Sequence, residues 1–190
     1  MTCIDISEDG HYLLAGYKKG TLVLWDSSKY KMAHIMKDVA KNETCEFTQV
    51  KLLFITETNV INIVTAEMSG RVRLVHVTKG GIFSSFSHRA NSLYESDLKG
   101  VTSITVQRPS SDPYYQNRFC NSSCLTAYGA TNLVTLVEMR QFPPRPKLTI
   151  KRPSFARTKS APFMDWGYGL TPTNREKSVP ILALAWDKFI

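Results

Sequence analysis

Leu13-Leu14-Ala15-Gly16-Tyr17-Lys18-Lys19-Gly20-Thr21-Leu22-Val23-Leu24-Trp25-Asp26 is the stretch that decides the fold. An apolar run leads into a polar turn that closes on glycine, and an alternating run follows, ending in Trp-Asp. Two apolar runs around a short turn whose glycine tolerates positive φ read as a β-hairpin. A hairpin of this layout with a terminal Trp-Asp is the sequence mark of a β-propeller blade. Propellers serve mostly as platforms, so the pattern directs attention to partners before reactions.

Strands assemble outward from this hairpin. Upstream, Thr2 to Ile6 alternates toward the turn Ser7-Glu8-Asp9-Gly10, and His11 to Gly16 returns as the second strand. Thr21 to Trp25 is the third strand and Met32 to Lys37 a short outer one, completing one four-stranded blade. A second unit follows the same plan: Val50 to Thr56, Val60 to Ala66, the turn Glu67-Met68-Ser69-Gly70, and Arg71 to Val77. There Gly80-Gly81 is read as opening Ile82 to Phe86 as the outer strand. A third unit takes Val101 to Gln107, Cys124 to Tyr128, the turn Gly129-Ala130-Thr131-Asn132 and Leu133 to Met139.

Aligned on the central turn, Gly20, Gly70 and Thr131 correspond, at spacings of 50 and 61 residues. A standard blade takes about 40–45 residues, so these are blades with loop insertions. Ser178 to Trp186 reads as the first strand of another unit. The expected fold is all-β: an incomplete propeller of about three blades plus the start of a fourth, divided at about 1–48, 49–100, 101–177 and 178–190. A closed ring takes about 4–8 blades, so the chain is expected to be part of a longer protein. The rival folds are an open antiparallel sandwich and a mixed α+β domain. The best helical candidate is short, Arg89 to Leu98.

Composition narrows the function classes. The chain has 190 residues, 43% of them hydrophobic and 21% charged, which is ordinary for a folded domain. No segment approaches the ~18 consecutive apolar residues of a membrane-spanning helix. Asp5, Glu8 and Asp9 interrupt any apolar leader, so no secretory signal is expected. Four scattered cysteines (Cys3, Cys45, Cys120, Cys124) do not make a disulfide framework and suit a reducing, cytoplasmic setting.

The net charge of +8 is concentrated in one place. Arg140, Arg145, Lys147, Lys151, Arg152, Arg157 and Lys159 are seven cations with no acid among them. One local basic feature argues against nucleic-acid binding through a broad basic face. Arg145, Lys147, Lys151 and Arg152 are therefore the candidate partner-binding residues, for an acidic partner, a phosphopeptide or an anionic membrane surface. The plainer reading makes Lys147 to Lys151 an outer strand followed by a solvated loop. Phe142-Pro143-Pro144-Arg145-Pro146 favours an extended polyproline conformation, and Arg152-Pro153-Ser154 and Arg157-Thr158-Lys159-Ser160 would suit a basophilic kinase.

Reactive chemistry finds little support. Cys120 and Cys124 have a spacing that zinc sites use, without the second pair of ligands a structural site needs. The four histidines lie far apart, no nucleophile motif is present, and neither Gly80-Gly81 nor Gly167-Tyr168-Gly169 has a phosphate-loop context. The chain is read as a non-enzyme with no cofactor. Trp25 is expected to fill the gap between sheets and Asp26 to cap the turn after the third strand, with His76 in the position of Asp26 in the second unit. Tyr17, Tyr30, Tyr114, Tyr115 and Trp166 are candidate loop aromatics for a partner interface.

Several segments together resemble the N-terminal WD-repeat propeller of the vacuolar protein sorting-associated protein 8 family. They are Thr2-Cys3-Ile4, Leu13 to Tyr17 with Gly20 and Leu24-Trp25-Asp26, Leu125 to Leu136, and Ser178-Val179-Pro180-Ile181-Leu182-Ala183. The last is the most discriminating, since the first hairpin is common to many WD-repeat proteins. The resemblance implies a subunit of the CORVET endosomal tethering complex, with an α-solenoid and a RING-type zinc domain beyond the propeller. It further implies engagement of an early-endosomal Rab GTPase and other tethering-complex subunits. The expected location is cytoplasmic and peripheral on the endosomal or vacuolar membrane, with a role in vesicle tethering and protein transport. The alternative is a general WD-repeat scaffold or adaptor that binds an acidic partner or phosphopeptide through a 140–159 basic loop.

Overall fold

The computed structural model describes residues 1–7, 9–37, 39–40, 45–55, 60–80, 85–94, 103–107, 125–130, 132–138, 145–157, 161–171 and 174–186. The chain divides into two compact units, Met1–Ile104 and Thr105–Ile190. Apart from one short 3-10 turn (Lys18–Gly20), every regular element among the described residues is a strand.

In the first unit, β1 (Cys3–Ile6), β2 (Tyr12–Gly16), β3 (Leu22–Asp26) and β4 (Lys31–Met36) form an antiparallel sheet in chain order. A second sheet repeats the plan with β5 (Phe47–Ile55), β6 (Val60–Glu67), β7 (Val72–Lys79) and β8 (Phe86–Tyr94). The central turns of the two sheets are the same object. The Tyr17 amide donates to the Thr21 carbonyl at 2.9 Å with Gly20 at φ +66°, and the Glu67 amide donates to the Arg71 carbonyl at 2.9 Å with Gly70 at φ +87°. Each glycine occupies the left-handed region that an L side chain adopts only with strain. In the third repeat the Ala130 amide donates to the Leu133 carbonyl at 2.9 Å, and Thr131 lies outside the described residues.

Gly20 is constrained twice, because a Cβ there would also lie 2.8 Å from the Ala40 Cβ. We therefore expect Gly20→Ala to lower stability by about 2 kcal/mol or more, from left-handed strain plus overpacking. Thermal unfolding measures this, and a change within error of wild type would show that the turn relaxes freely.

The alternation read in the opening stretch sorts the first sheet into two faces. Leu14, Leu22, Leu24 and Met36 are buried and join Val50, Leu52, Ile61, Ile63, Val75 and Val77 of the second sheet in one core. Gly16 permits the close approach, since a Cβ there would meet Cys3 Sγ at 2.6 Å and the Phe47 ring at 3.4 Å. A polar tie reinforces the contact: the Leu52 amide donates to Asp5 Oδ2 at 2.8 Å.

The outer strands of the two sheets also meet. His34 Nε2 and His88 Nδ1 share a 3.1 Å hydrogen bond, and the Phe86 ring lies beside His34 at 5.9 Å. Burial, and then the neighbouring His88, push His34 below its ordinary pKa of 6.5. The unfolded chain then takes up its proton first as the pH falls, so the stability present above about pH 6.5 is lost on acidification. We expect the melting temperature to fall between pH 7.5 and 5.5, and His34→Gln to narrow that fall. An unchanged pH profile in the variant would remove His34 as the cause.

Two sequence expectations change here. Trp25 does not fill the gap between the sheets: Leu24 points into that gap, so strand alternation turns Trp25 to the opposite face, where it is 38% exposed. The best helical candidate, Arg89 to Leu98, is also not a helix where it is described: Arg89 to Tyr94 belong to β8 and pair with β7, and residues 95–98 lie outside the described residues. The open edge of β7 offers more backbone hydrogen bonds than an isolated short helix can make for itself. Residues 81–84 lie outside the described residues, and the outer strand is β8.

Asp26 behaves as the sequence suggests. Its Oδ1 accepts from Ser28 Oγ at 2.6 Å and the Lys29 amide at 3.1 Å, and Lys29 Nζ lies 3.1 Å from Oδ2. These contacts, the Ser28 bond foremost, hold its carboxyl at about 2. His76 does not repeat the role, since β7 continues to Lys79 and His76 Nδ1 instead donates to Asn62 Oδ1 at 2.9 Å.

A third sheet has the order β12 (Arg145–Lys151), β11 (Leu133–Glu138), β10 (Leu125–Gly129), β9 (Ser103–Val106), with β9 spanning the boundary of the two units. In the second unit β13 (Phe163–Thr171) and β14 (Asn174–Ala185) form a hairpin. Met164, Trp166, Leu182 and Leu184 of the hairpin pack with Ile150 against Ala127, Val134 and Leu136 of the third sheet. Among the described residues the architecture is all-β, four antiparallel sheets, as expected of an incomplete β-propeller.

Candidate partner-binding surface

The middle of the expected basic loop is not a loop: Arg145–Lys151 form β12, the outer strand of the third sheet, because they complete the open edge of β11. β12 pairs with β11 through Leu133↔Lys151, Val134↔Ile150, Thr135↔Thr149 and Leu136↔Leu148, and a bulge follows before Val137↔Pro146. Among the described residues no strand pairs with its other edge. Arg145, Lys147 and Lys151 are exposed along it and Arg152 is half-buried just beyond. Three of the four candidate cations thus fall together on one strand, with Arg152 just past its end, and Lys147 to Lys151 is an outer strand. Arg140, Lys159 and the proline pair Pro143-Pro144 lie outside the described residues, as do Thr158 and Ser160.

The ladder fixes which backbone groups face outward. The Arg152 amide donates to the Asn132 carbonyl at 2.9 Å, and the Ala130 amide donates to the Leu133 carbonyl at 2.9 Å on the far side of β11. In an antiparallel pair, bonded and non-bonded positions alternate. Ile150 and Leu148 therefore direct their amides and carbonyls to β11, and Thr149 and Lys151 direct theirs away from the sheet.

Sequence reasoning did not foresee Glu138, whose Oε2 lies 2.6 Å from Lys147 Nζ. The pair joins adjacent strands across the bulge, a juxtaposition that residue spacing alone does not reveal. Lys147 stays exposed in the pair, alongside Arg145 and Lys151 on the same strand.

A second surface belongs to the first sheet. Ile4, Ala15, Val23 and Ile35 stand in one cross-strand row, and Ile6, Leu13, Trp25 and Met32 in the next. Of these Ile4, Ile6, Trp25, Met32 and Ile35 are exposed. The signal in the sequence was the presence of apolar residues at both parities of these strands, which marks sheets covered on both faces.

The aromatic candidates separate. Tyr30 is almost fully exposed at positive φ after β3, and Tyr17 is half-buried at the central turn. Trp166 is not on a loop; it sits in β13 and packs into the core of the second unit, because the hairpin needs an apolar face against the third sheet. Tyr114 and Tyr115 lie outside the described residues, as do Cys120 and Cys124. Among the described residues there is no group of three or more His, Cys, Asp or Glu side chains able to hold a metal. No helix among them is long and apolar enough to cross a membrane.

Comparison with known proteins gives one family. No curated protein matches the chain. The family model described as the Vps8 beta-propeller matches residues 1–190. That span takes in all four sheets, the Gly20 and Gly70 turns and the basic outer strand alike, and the chain belongs to the Vps8 β-propeller family.

Proposed function

We propose that this propeller is a non-enzymatic interaction platform of an endosomal tethering-complex subunit, acting in vesicle tethering and protein transport by engaging an early-endosomal Rab GTPase. The observation that carries the reading is the family match across residues 1–190. The physical form suits it: packed sheets provide a frame, and exposed side chains on edges and turns provide contacts. Peripheral attachment to the endosomal or vacuolar membrane through such a partner accords with the family.

The test is a nucleotide-state-dependent pull-down with the full-length protein. Capture by the GTP-loaded endosomal Rab and not by its GDP form is the expected result. Equal capture of both forms, or of neither, would sink the Rab reading.

A second reading has its own observation, the row of cations on an exposed outer strand. Here the propeller is an adaptor that takes an acidic partner through Arg145, Lys147, Lys151 and Arg152. Binding would then be independent of nucleotide, steeply salt-dependent, and lost when these four are neutralised.

A further inference from the structure

An outer strand presents unpaired amides and carbonyls, and natural sheets guard such edges with lysine and proline. β12 carries both guards, in Arg145-Pro146-Lys147-Leu148-Thr149-Ile150-Lys151. What distinguishes it from a merely guarded edge is the sign and extent of its charge. Between Glu138 and Asp165 the sequence has seven cations and no acid. The other outer strands described, β4 and β8, carry one Lys and one Arg respectively. Such an edge repels a second copy of itself and attracts a chain of opposite sign, so the charge that prevents self-pairing selects a partner.

The backbone supplies the rest. Thr149 and Lys151 turn their amides and carbonyls outward, as the alternation of the β11–β12 ladder requires. Pro146, which has no amide to give, lies at the bulged end, away from these two donors. Lys147 already holds a carboxylate, that of Glu138, at 2.6 Å, which shows that an acidic side chain on a neighbouring strand can be seated here. Leu148 is 55% exposed, an apolar contact beside the cations.

We propose that the outer edge of β12 binds an acidic, extended segment of a partner protein by strand addition. Thr149 and Lys151 would exchange backbone hydrogen bonds with it, and Arg145 and Lys151 would face its carboxylates. The inference rests on the adaptor reading of the basic segment and adds to it a defined backbone geometry.

The experiment uses the 190-residue chain and a labelled peptide of ten residues in which Glu alternates with Val or Thr. A second peptide of the same sequence carries N-methyl groups on alternate residues, which keeps the charge and removes strand pairing. Fluorescence anisotropy measures affinity, and amide hydrogen exchange reports on residues 145–151. The expected result is binding of the first peptide, at least tenfold weaker binding of the second, and slowed exchange at Thr149 and Lys151. Thr149→Pro should weaken binding at least tenfold while leaving the melting temperature nearly unchanged, because its amide is not used within the sheet. If that variant does not fold, the methylated peptide gives the same answer on wild type.

Equal binding of the two peptides would overturn strand addition and leave the adaptor reading standing on charge alone. No binding of either would overturn both. Binding to phosphatidylserine vesicles with none to the peptides would likewise overturn the proposal, in favour of a membrane surface.

Discussion

Replacing Arg73 by Met should destabilise the first unit by about 3–5 kcal/mol, the range for removing one member of a buried ion pair. Glu67 closes β6 and Arg73 lies on β7, and their side chains are 3% and 8% exposed. Arg73 Nε donates to Glu67 Oε1, and Ser69 Oγ donates to Glu67 Oε2 at 3.1 Å. The Cys45 thiol also donates to this carboxylate, and burial together with the Glu67 charge pushes that thiol up to about 12. Without the guanidinium, Glu67 is a buried charge that has lost its direct cation, and the Ser69 hydroxyl and the Cys45 thiol do not replace that charge-assisted bond.

The same reasoning predicts an asymmetry. Glu67→Leu alone leaves Arg73 buried without its carboxylate and should cost a similar amount. The double variant Glu67→Leu/Arg73→Met removes both charges and should recover most of the loss, since an apolar pair of similar volume is often no worse than the ion pair. Chemical denaturation of the four proteins closes the cycle, and a coupling energy above about 2 kcal/mol is expected for residues in direct contact. Additive losses would mean that the two side chains act separately, contrary to the contact between them.

This network was not legible in the sequence, and the reason is geometric. Glu67 appeared there only as the first residue of the turn Glu67-Met68-Ser69-Gly70, and Arg73 only as a polar residue of the strand Arg71 to Val77, whose apolar residues Val72 and Leu74 alternate with Arg71 and Arg73. In a half-solvated sheet that parity faces water. Here the second sheet is covered on both faces, with Val64 and Leu74 as deeply buried as Ile63 and Val75, so the polar parity is buried too and must find partners. Local turn chemistry, by contrast, was legible at three turns. Gly20 and Gly70 mark the same turn because only glycine takes that backbone without strain, and Asp26 caps its turn because a short carboxylate reaches the following amides.

The basic strand was legible in charge and in strand character, and not in register. Charge and strand propensity are properties of single residues, whereas the outward direction of the Thr149 and Lys151 backbone groups depends on which β11 residue each one faces. The short helical candidate from Arg89 gave way for a related reason. A weak local preference yields to an open strand edge whose hydrogen bonds are already in place.

The contrast between two aromatic residues gives the sharpest test of how the first unit is held together. Phe47 opens β5 at 1% exposure and packs in the core shared by the first two sheets, close against Gly16. Phe47→Ala should cost about 3–5 kcal/mol, the transfer term of the ring plus the cavity it leaves. For a unit of this size, each kcal/mol lowers the melting temperature by roughly 4–8 °C, so the variant should unfold well below wild type. Trp25 is the residue that the sequence makes most conspicuous, yet it stands on the opposite face of its sheet, beside Ile6, Leu13 and Met32. Trp25→Ala removes a partly exposed side chain and should cost roughly 1–2 kcal/mol, less than half as much. Matched losses in the two variants would mean that Trp25 is buried in solution. The apolar rows of the first sheet would then be a covered interface, and the load would not rest on the Phe47 core alone.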